Sequence, residues 1–164
     1  MKKSILTLAS ALLLAVSANA QKVEFEEYKL DNGMHVILHQ DKSAPVIITS
    51  VMYGVGGKDG SRERTGFAHF FEHLLFEGTE HIGRGEWMKI VSSNGGKVNA
   101  NTSQDRTYYY EIFPSNKLEL GLWMESARLL QPIISQEGVD TQNEVVKEEK
   151  RQGTRAYSNI LPEI

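Results

Sequence analysis

The chain has 164 residues, of which 40% are hydrophobic and 24% charged, a formal net charge of −3 and no cysteine. This length suits one domain, and the composition is that of a folded globular protein. The lack of cysteine excludes disulfides, thiolate metal sites and a cysteine nucleophile. The acidic balance, with scattered lysines and no basic patch, argues against nucleic acid as a partner.

Residues 1–20 have the layout of a secretory signal peptide. Two lysines precede an apolar run from Ile5 to Val16, and small residues follow at 18–20, as at a cleavage site. The run is too short to span a bilayer comfortably, which disfavours the alternative of an N-terminal membrane anchor. We therefore expect an exported bacterial protein, periplasmic or secreted. Its mature chain, residues 21–164, should not insert into the membrane.

Turn and cap residues divide the rest of the chain into short elements. The predicted elements are a hairpin over 25–41, a strand over 44–57, helices over 65–77 and 85–96, two strands over 97–114 and helices over 115–132 and 140–152. An Asn-Gly pair marks the hairpin turn, and Thr141 with Glu144 forms a capping box for the last helix. This order predicts an α+β fold, with helices packed on one face of a mostly antiparallel sheet. The final residues supply no closing element, so we expect 21–164 to be part of a larger domain.

The first predicted helix carries two histidines and a glutamate within "GFAHFFEHLLFEG". His69 and His73 are four residues apart, so their β-carbons lie on one face about 5–6 Å apart, and both rings can reach one metal ion. Glu72 is better placed to act as a base on a water molecule than to join the ligands. The neighbouring side chains are apolar nearly all round, so we expect a buried helix. Two core histidines without a metal are the alternative, but burying such groups unpaired costs on the order of several kcal/mol.

A catalytic zinc ion usually takes three protein ligands, so a third ligand must come from another part of the chain. The candidates are His35, His39 and His81, together with Glu144, Glu148 and Glu149 of the last predicted helix. Glu149 lies beside the apolar pair Val145 and Val146, which favours it only slightly. A structural zinc site usually has four protein ligands, often cysteines, so the lack of cysteine disfavours that alternative.

Three blocks of sequence occur in a recognisable order: "GFAHFFEHLLFEGT", "GGKVNANTSQDRTYYYEIFP" and "NEVVKEEKRQ". Over nearly all of residues 24–155 they resemble the inverzincin peptidases, the family of pitrilysin, insulin-degrading enzyme and mitochondrial processing peptidase. The resemblance implies that His69, His73 and Glu149 bind one zinc ion and that Glu72 is the general base. It also implies that residues 21–164 are a partial N-terminal domain of a pitrilysin-like zinc peptidase.

The same resemblance implies a substrate and a partner. The family binds peptides as an added strand at a sheet edge beside an Asn-Ala pair, here Asn99 and Ala100 leading into Thr102; an ordinary edge strand is the alternative. Active members are far longer, so we expect a metalloendopeptidase domain that needs a C-terminal half or a homologous partner subunit. A non-catalytic partner subunit of the same fold is the competing interpretation, which the retention of all four motif residues disfavours.

Overall fold

The computed structural model describes residues 23–63 and 65–157. The predicted signal peptide, residues 1–20, lies outside these described residues. The chain divides into two units, the first ending at Ala44 and the second beginning at Pro45. Within the part of the chain that is described, no helix has both the length and the apolar character that crossing a membrane requires.

The first unit contains the predicted hairpin. Strands β1 (Glu26–Lys29) and β2 (His35–Leu38) pair antiparallel. Gly33 in the turn has φ +86°, a left-handed conformation that glycine adopts without steric cost. The Leu30 N–H donates to the Met34 carbonyl at 2.9 Å and closes the turn. The hairpin predicted from the Asn-Gly pair is therefore confirmed.

The second unit contains a three-stranded antiparallel sheet. Its strands are β3 (Val46–Tyr53), β4 (Lys97–Thr102) and β5 (Thr107–Pro114), in the order β3–β5–β4. Alternate residues of β5 are buried and the residues between them are half-buried. Ile48 and Met52 of β3 are 62% and 63% exposed. Because side chains alternate along a strand, one face of this sheet is covered and the other is open.

The covered face packs against helices. The helices of the described chain are α1 (Phe67–Leu74), α2 (Trp87–Ser93), α3 (Leu118–Leu130) and α4 (Gln136–Tyr157), with single 3-10 turns at Gly57–Asp59 and Ser115–Lys117. Helices α1 and α2 contact β4, α3 contacts β3 and β5, and α4 contacts α1. The apolar core consists of Ile82, Trp87, Val91, Phe113, Met124 and Ala127. The predicted α+β class, with helices on one face of an antiparallel sheet, is confirmed.

Helix α1 is shorter and less buried than its sequence predicts. It spans eight residues rather than 65–77, since the chain then turns more tightly through i→i+3 hydrogen bonds. Glu72 and Leu74 are buried on its inner side, whereas Phe67 and Phe71 are 51% and 37% exposed. The expectation of a buried helix therefore holds for its inner side only, because the described residues leave the outer side of this apolar helix exposed.

Helix α4 begins four residues before its predicted start at Asp140. The Ser135 hydroxyl accepts a hydrogen bond from the Gly138 N–H at 3.0 Å, which is the bond expected of an N-cap residue. Thr141 lies inside the helix, and its hydroxyl donates to the Glu137 carbonyl at 2.8 Å. The predicted capping box was therefore wrong, because Ser135 supplies a cap earlier in the chain.

A buried ion cluster joins three of these elements. Arg128 of α3 is 1% exposed, and its Nη2 donates to Glu111 at 3.0 Å and to Glu125 at 3.1 Å. Its Nη1 donates to the Leu75 carbonyl, just beyond α1, at 3.3 Å. The guanidinium also lies over three aromatic rings, those of Phe76, Trp87 and Tyr109. Arg128 therefore connects α3, β5 and the end of α1.

Candidate metal centre

Helix α1 sets two histidine rings side by side. Gly66, which precedes the helix, has φ +84°, so the chain enters the helix through a conformation that suits glycine. The Nε2 atoms of His69 and His73 are 3.2 Å apart, and the rings meet edge to face at 79°. The two side chains are 39% and 18% exposed. Both rings therefore direct the same nitrogen toward one accessible point.

Helix α4 brings Glu149 to that point. The Glu149 Oε2 atom is 3.5 Å from His69 Nε2 and 3.4 Å from His73 Nε2. Donor atoms about 2.0–2.1 Å from a tetrahedral zinc ion are roughly 3.3 Å apart, so the three separations match those around a shared ion. Two ring nitrogens and a carboxylate oxygen at these distances also need a proton or a cation among them. The donor set therefore fits zinc and leaves a fourth position for water or substrate.

The other candidate histidines take different positions. His35 Nε2 lies 3.2 Å from the Glu27 carboxylate, and His39 Nδ1 lies 2.6 Å from the Glu24 carbonyl. His81 is exposed in the loop after α1. Among the described residues, the group of donors close enough to hold one metal ion contains none of these three histidines.

The other candidate glutamates of α4 pair with cations on their own helix. Glu144 accepts from Lys147, and Glu148 accepts from Arg151, each at 2.9 Å. These hydrogen bonds lower the pKa of both carboxyl groups. The structure therefore brings together His69, His73 and Glu149, whereas the neighbours of Glu149 on the helix are engaged with other groups.

Glu72 points from α1 toward the sheet. Its side chain is 7% exposed, and its Oε2 accepts a hydrogen bond from the Thr102 hydroxyl at 2.5 Å. Thr102 is also 3.3 Å from the hydroxyl of Thr107, which donates to the Val55 carbonyl at 3.0 Å. A carboxylate can only accept, so the Thr102 hydroxyl donates its proton to Glu72 in the shorter of its two contacts. Thr102 therefore holds one oxygen of the Glu72 carboxylate.

The backbone of α1 is held at the same residue. The Tyr109 hydroxyl donates to the Glu72 carbonyl at 3.2 Å. Burial raises the pKa of Tyr109, so this hydroxyl remains protonated and able to donate. Carbonyls in the last turn of a helix have no partner within the helix. Tyr109 and Arg128 supply such partners at the end of α1, in the turn that carries His73.

One cavity of about 510 Å³ contains all seven residues that the sequence assigns to the site. Its lining comprises His69, Glu72, His73, Phe76, Met88, Val98, Asn99, Ala100, Asn101, Thr102, Gln142 and Glu149. Asn99 is exposed, and its side-chain oxygen accepts from the Ala100 N–H at 2.9 Å. The cavity therefore joins the metal donors, the buried carboxylate and strand β4.

Sequence reasoning missed Gln142. Its Oε1 lies 3.1 Å from His73 Nδ1, on the side of the ring opposite the metal donors. Gln142 is seven residues before Glu149, or two helical turns, so the two side chains share a helix face. That spacing could have identified Gln142 once Glu149 was chosen as a ligand.

Comparison with known families identifies relatives of much greater length. A family model described as Insulinase (Peptidase family M16) matches residues 35–164. The chain is 31% identical over 154 residues to the zinc protease PqqE of Helicobacter pylori, covering 91% of this chain and 35% of that protein. It is 30% identical over 127 residues to the insulin-degrading enzyme homolog of Dictyostelium discoideum, covering 77% of this chain and 13% of that protein. The chain thus spans about a third or less of these curated relatives.

Solved structures share the fold. A crystal structure of a protease from Helicobacter pylori matches with a TM-score of 0.78 and 31% identity, covering 82% of this chain and 32% of that one. The crystal structure of pitrilysin matches with a TM-score of 0.74 and 21% identity, covering 82% of this chain and 14% of that one. At that identity the likeness to pitrilysin supports the fold alone.

Proposed function

The chain belongs to the insulinase family of peptidases, M16, and from this membership we propose that it forms the catalytic metal site of a zinc-dependent endopeptidase acting on peptides or small proteins. One observation carries the proposal. Three donor atoms, from His69, His73 and Glu149, lie 3.2–3.5 Å apart, in the same cavity as the buried carboxylate of Glu72.

Each residue of this site has its own role in the proposed reaction. His69, His73 and Glu149 hold one zinc ion per chain. Zinc bound there would lower the pKa of a coordinated water to about 7 and polarise the scissile carbonyl. Glu72 takes the proton of the attacking water and delivers it to the leaving amine. Thr102 donates to one oxygen of Glu72 and so restricts the rotation of the carboxylate.

The proposed substrate is an extended peptide that pairs with strand β4. This strand lies at an edge of its three-stranded sheet, and its residues Asn99 and Ala100 line the cavity. The Ala100 N–H donates to the Asn99 side-chain oxygen at 2.9 Å, so an added strand would use this donor by taking the place of that oxygen. Pairing of this kind takes its affinity from the main chain, so it accepts many peptide sequences.

We propose further that turnover needs more protein than this chain, either a C-terminal half or a homologous partner subunit. The zinc protease PqqE relative supports this, since the matched region covers 35% of it. Most of the groups that enclose a substrate would then come from outside residues 21–164.

Zinc content tests the ligand assignment directly. The wild-type protein should bind about one zinc ion per chain, and Glu149→Ala should lose it because a ligand is removed. Glu148→Ala is the matched control, since it changes the adjacent carboxylate, which pairs with Arg151. Elemental analysis after removal of free metal gives the ratio. Loss of zinc from both variants, or from neither, would reject Glu149 as the third ligand.

Glu72→Gln separates metal binding from the proton transfer. This variant should keep its zinc, since Glu72 is not a ligand. In any preparation of the protein that cleaves a peptide, it should be slower by roughly 100-fold or more, because an amide cannot accept the water's proton. Cleavage at the wild-type rate would contradict the role of Glu72. A wild-type chain that folds without binding zinc would favour the non-catalytic partner subunit.

A further inference from the structure

Glu77 is a buried carboxylate that the proposed reaction does not use. It is 7% exposed and lies three residues beyond the end of α1. One of its oxygens accepts from Arg84 Nε. The other accepts from Gln142 Nε2 at 2.5 Å. Because an ionised carboxylate can only accept, the end of the Gln142 amide that faces Glu77 is the NH₂ group.

This contact fixes the other end of the Gln142 amide. With its NH₂ group on Glu77, Gln142 presents its carbonyl oxygen to His73 Nδ1 at 3.1 Å. A carbonyl oxygen can only accept, so Nδ1 carries the ring proton. A neutral imidazole has one N–H, so His73 Nε2 keeps its lone pair. That is the nitrogen which faces His69 and Glu149.

Two features of the surroundings hold Glu77 in place. Arg84 reaches helix α4 as well, donating to Glu137 at 2.8 Å and to Thr141 at 2.7 Å, so it ties the carboxylate to the start of that helix. Gly138 leaves the space that Glu77 occupies, since a β-carbon there would lie 2.9 Å from the carboxylate. Glycine inside a helix costs about 0.5–1 kcal/mol relative to alanine, and the room for Glu77 accounts for it here.

We propose that Glu77 is a positioning residue which, acting through Gln142, selects the Nδ1-protonated tautomer of His73 and thereby raises the affinity of the site for zinc. The inference rests on the proposed function, because it takes His73 as a zinc ligand. Groups that orient metal ligands in this way typically change metal affinity by 10–100-fold when they are mutated.

Chelator competition measures the predicted loss of zinc affinity. Glu77→Leu should bind zinc 10–100-fold more weakly than the wild type, because Gln142 is then free to turn either end toward His73. Glu137→Ala is the matched control. It removes another carboxylate partner of Arg84, one on the surface, but leaves the contact between Glu77 and Gln142 intact. The zinc affinity of this variant should therefore equal that of the wild type. Wild-type affinity in Glu77→Leu would overturn the proposal.

A double-variant cycle tests whether Glu77 acts through Gln142. Gln142→Met keeps the length of the side chain but removes its amide, and should weaken zinc binding by a similar factor. The protein with both substitutions should bind no more weakly than Gln142→Met alone, since the two groups form one chain of contacts. Independent losses that add in the double variant would show a separate, merely structural effect of Glu77.

Ring-nitrogen NMR of the metal-free protein distinguishes this inference from the proposed function. His73 should carry its proton on Nδ1 in the wild type and lose this preference in Glu77→Leu. If the wild type binds no zinc, the proposed function fails, while this spectrum still decides the tautomer. Should Glu77→Leu not fold, Gly138→Ala supplies the test, because its methyl group displaces the Glu77 carboxylate. Unchanged zinc affinity and an unchanged His73 tautomer in that variant would overturn the proposal.

Discussion

At the scale of single residues, Thr102 differs most from the role that family resemblance implies. Resemblance assigns it to substrate binding, as part of the strand that follows Asn99 and Ala100. In the structure its hydroxyl donates to Glu72 at 2.5 Å. Hydrogen bonds to charged groups contribute about 1.5–3 kcal/mol, so this contact is strong enough to orient the carboxylate. Thr102 can therefore affect the reaction through Glu72 rather than through the peptide.

Thr102→Val should separate these two roles. Valine has the shape of threonine but no hydroxyl, so Glu72 loses a donor while the strand keeps its backbone. In a preparation that cleaves a peptide, we expect kcat to fall by roughly 10-fold or more, with KM and zinc content little changed. Thr102→Ser restores the hydroxyl and should restore most of the rate. A raised KM with unchanged kcat in Thr102→Val would instead indicate contact with the substrate.

At the scale of elements, the closeness of α3 to the sheet determines how the ion cluster is assembled. Gly121 of α3 faces β3, and a β-carbon there would lie 2.7 Å from Thr49 Oγ1 and 2.9 Å from its Cγ2. The Thr49 hydroxyl donates to Glu111 at 3.2 Å. The lack of a side chain at 121 thus allows α3 to approach the sheet closely, which brings Arg128 of the same helix to Glu111 of β5.

Gly121→Ala should destabilise the protein although alanine favours helices. Alanine improves helix propensity by about 1 kcal/mol, but the overlap with Thr49 should cost about 1–3 kcal/mol and disturb the bond to Glu111. We expect a net loss in the free energy of unfolding, measured by urea denaturation. Ser126→Ala, at an exposed position of the same helix, is the control and should be neutral or slightly stabilising. A Gly121→Ala protein as stable as the control would show that α3 can shift freely.

At the scale of the whole second unit, the buried cluster holds more carboxyl groups than cations. Burial raises the pKa of Glu111 to about 8, with a further contribution from the neighbouring Glu125, against the lowering effect of Arg128. At neutral pH the Glu111 carboxyl therefore keeps its proton within this cluster. This arrangement lets two buried carboxyl groups share one guanidinium, which in turn donates to the carbonyl of Leu75, just beyond helix α1.

This proton makes stability depend on pH. Between about 4.5, the ordinary pKa of a glutamate, and about 8, the folded protein holds the Glu111 proton while the unfolded chain does not. The free energy of unfolding should therefore fall as pH rises through this window, by at most about 1.4 kcal/mol per pH unit for one proton. Urea denaturation from pH 5 to pH 8 measures this slope.

Glu111→Gln isolates the contribution of this residue to the pH dependence of stability. Glutamine resembles the protonated carboxyl and does not titrate. The free energy of unfolding of the variant should therefore fall less steeply between pH 5 and pH 8 than that of the wild type. Its stability should approach or exceed that of the wild type at the alkaline end of the window. Parallel pH dependences in the two proteins would show that Glu111 is not the group responsible.

Local patterns allowed much of the fold to be predicted. The Asn-Gly pair specified a hairpin, because Gly33 adopts a positive φ. Residues 97–114 were predicted to form two strands, and they form β4 and β5. The helix period placed His69 and His73 on one face, as the structure has them. Two predictions failed because residues outside the segment determined its structure. Ser135, which precedes the predicted capping box, caps α4. The outer side of α1 is exposed because no element among the described residues covers it. The signal peptide and export remain predictions.

The sequence alone determined the identity and spacing of the chemical groups, because neighbours along a helix or strand have fixed directions set by backbone geometry. It favoured Glu149 over Glu144 and Glu148 only slightly, and it contained no sign that Glu77 would face Gln142. The packing of α4 on α1 determined which glutamate approaches the histidines and which residue Gln142 contacts. It places Glu149 at Nε2 of His73 and Gln142 at Nδ1 of the same ring. Contacts between distant segments depend on how whole elements pack, and no local period encodes that packing.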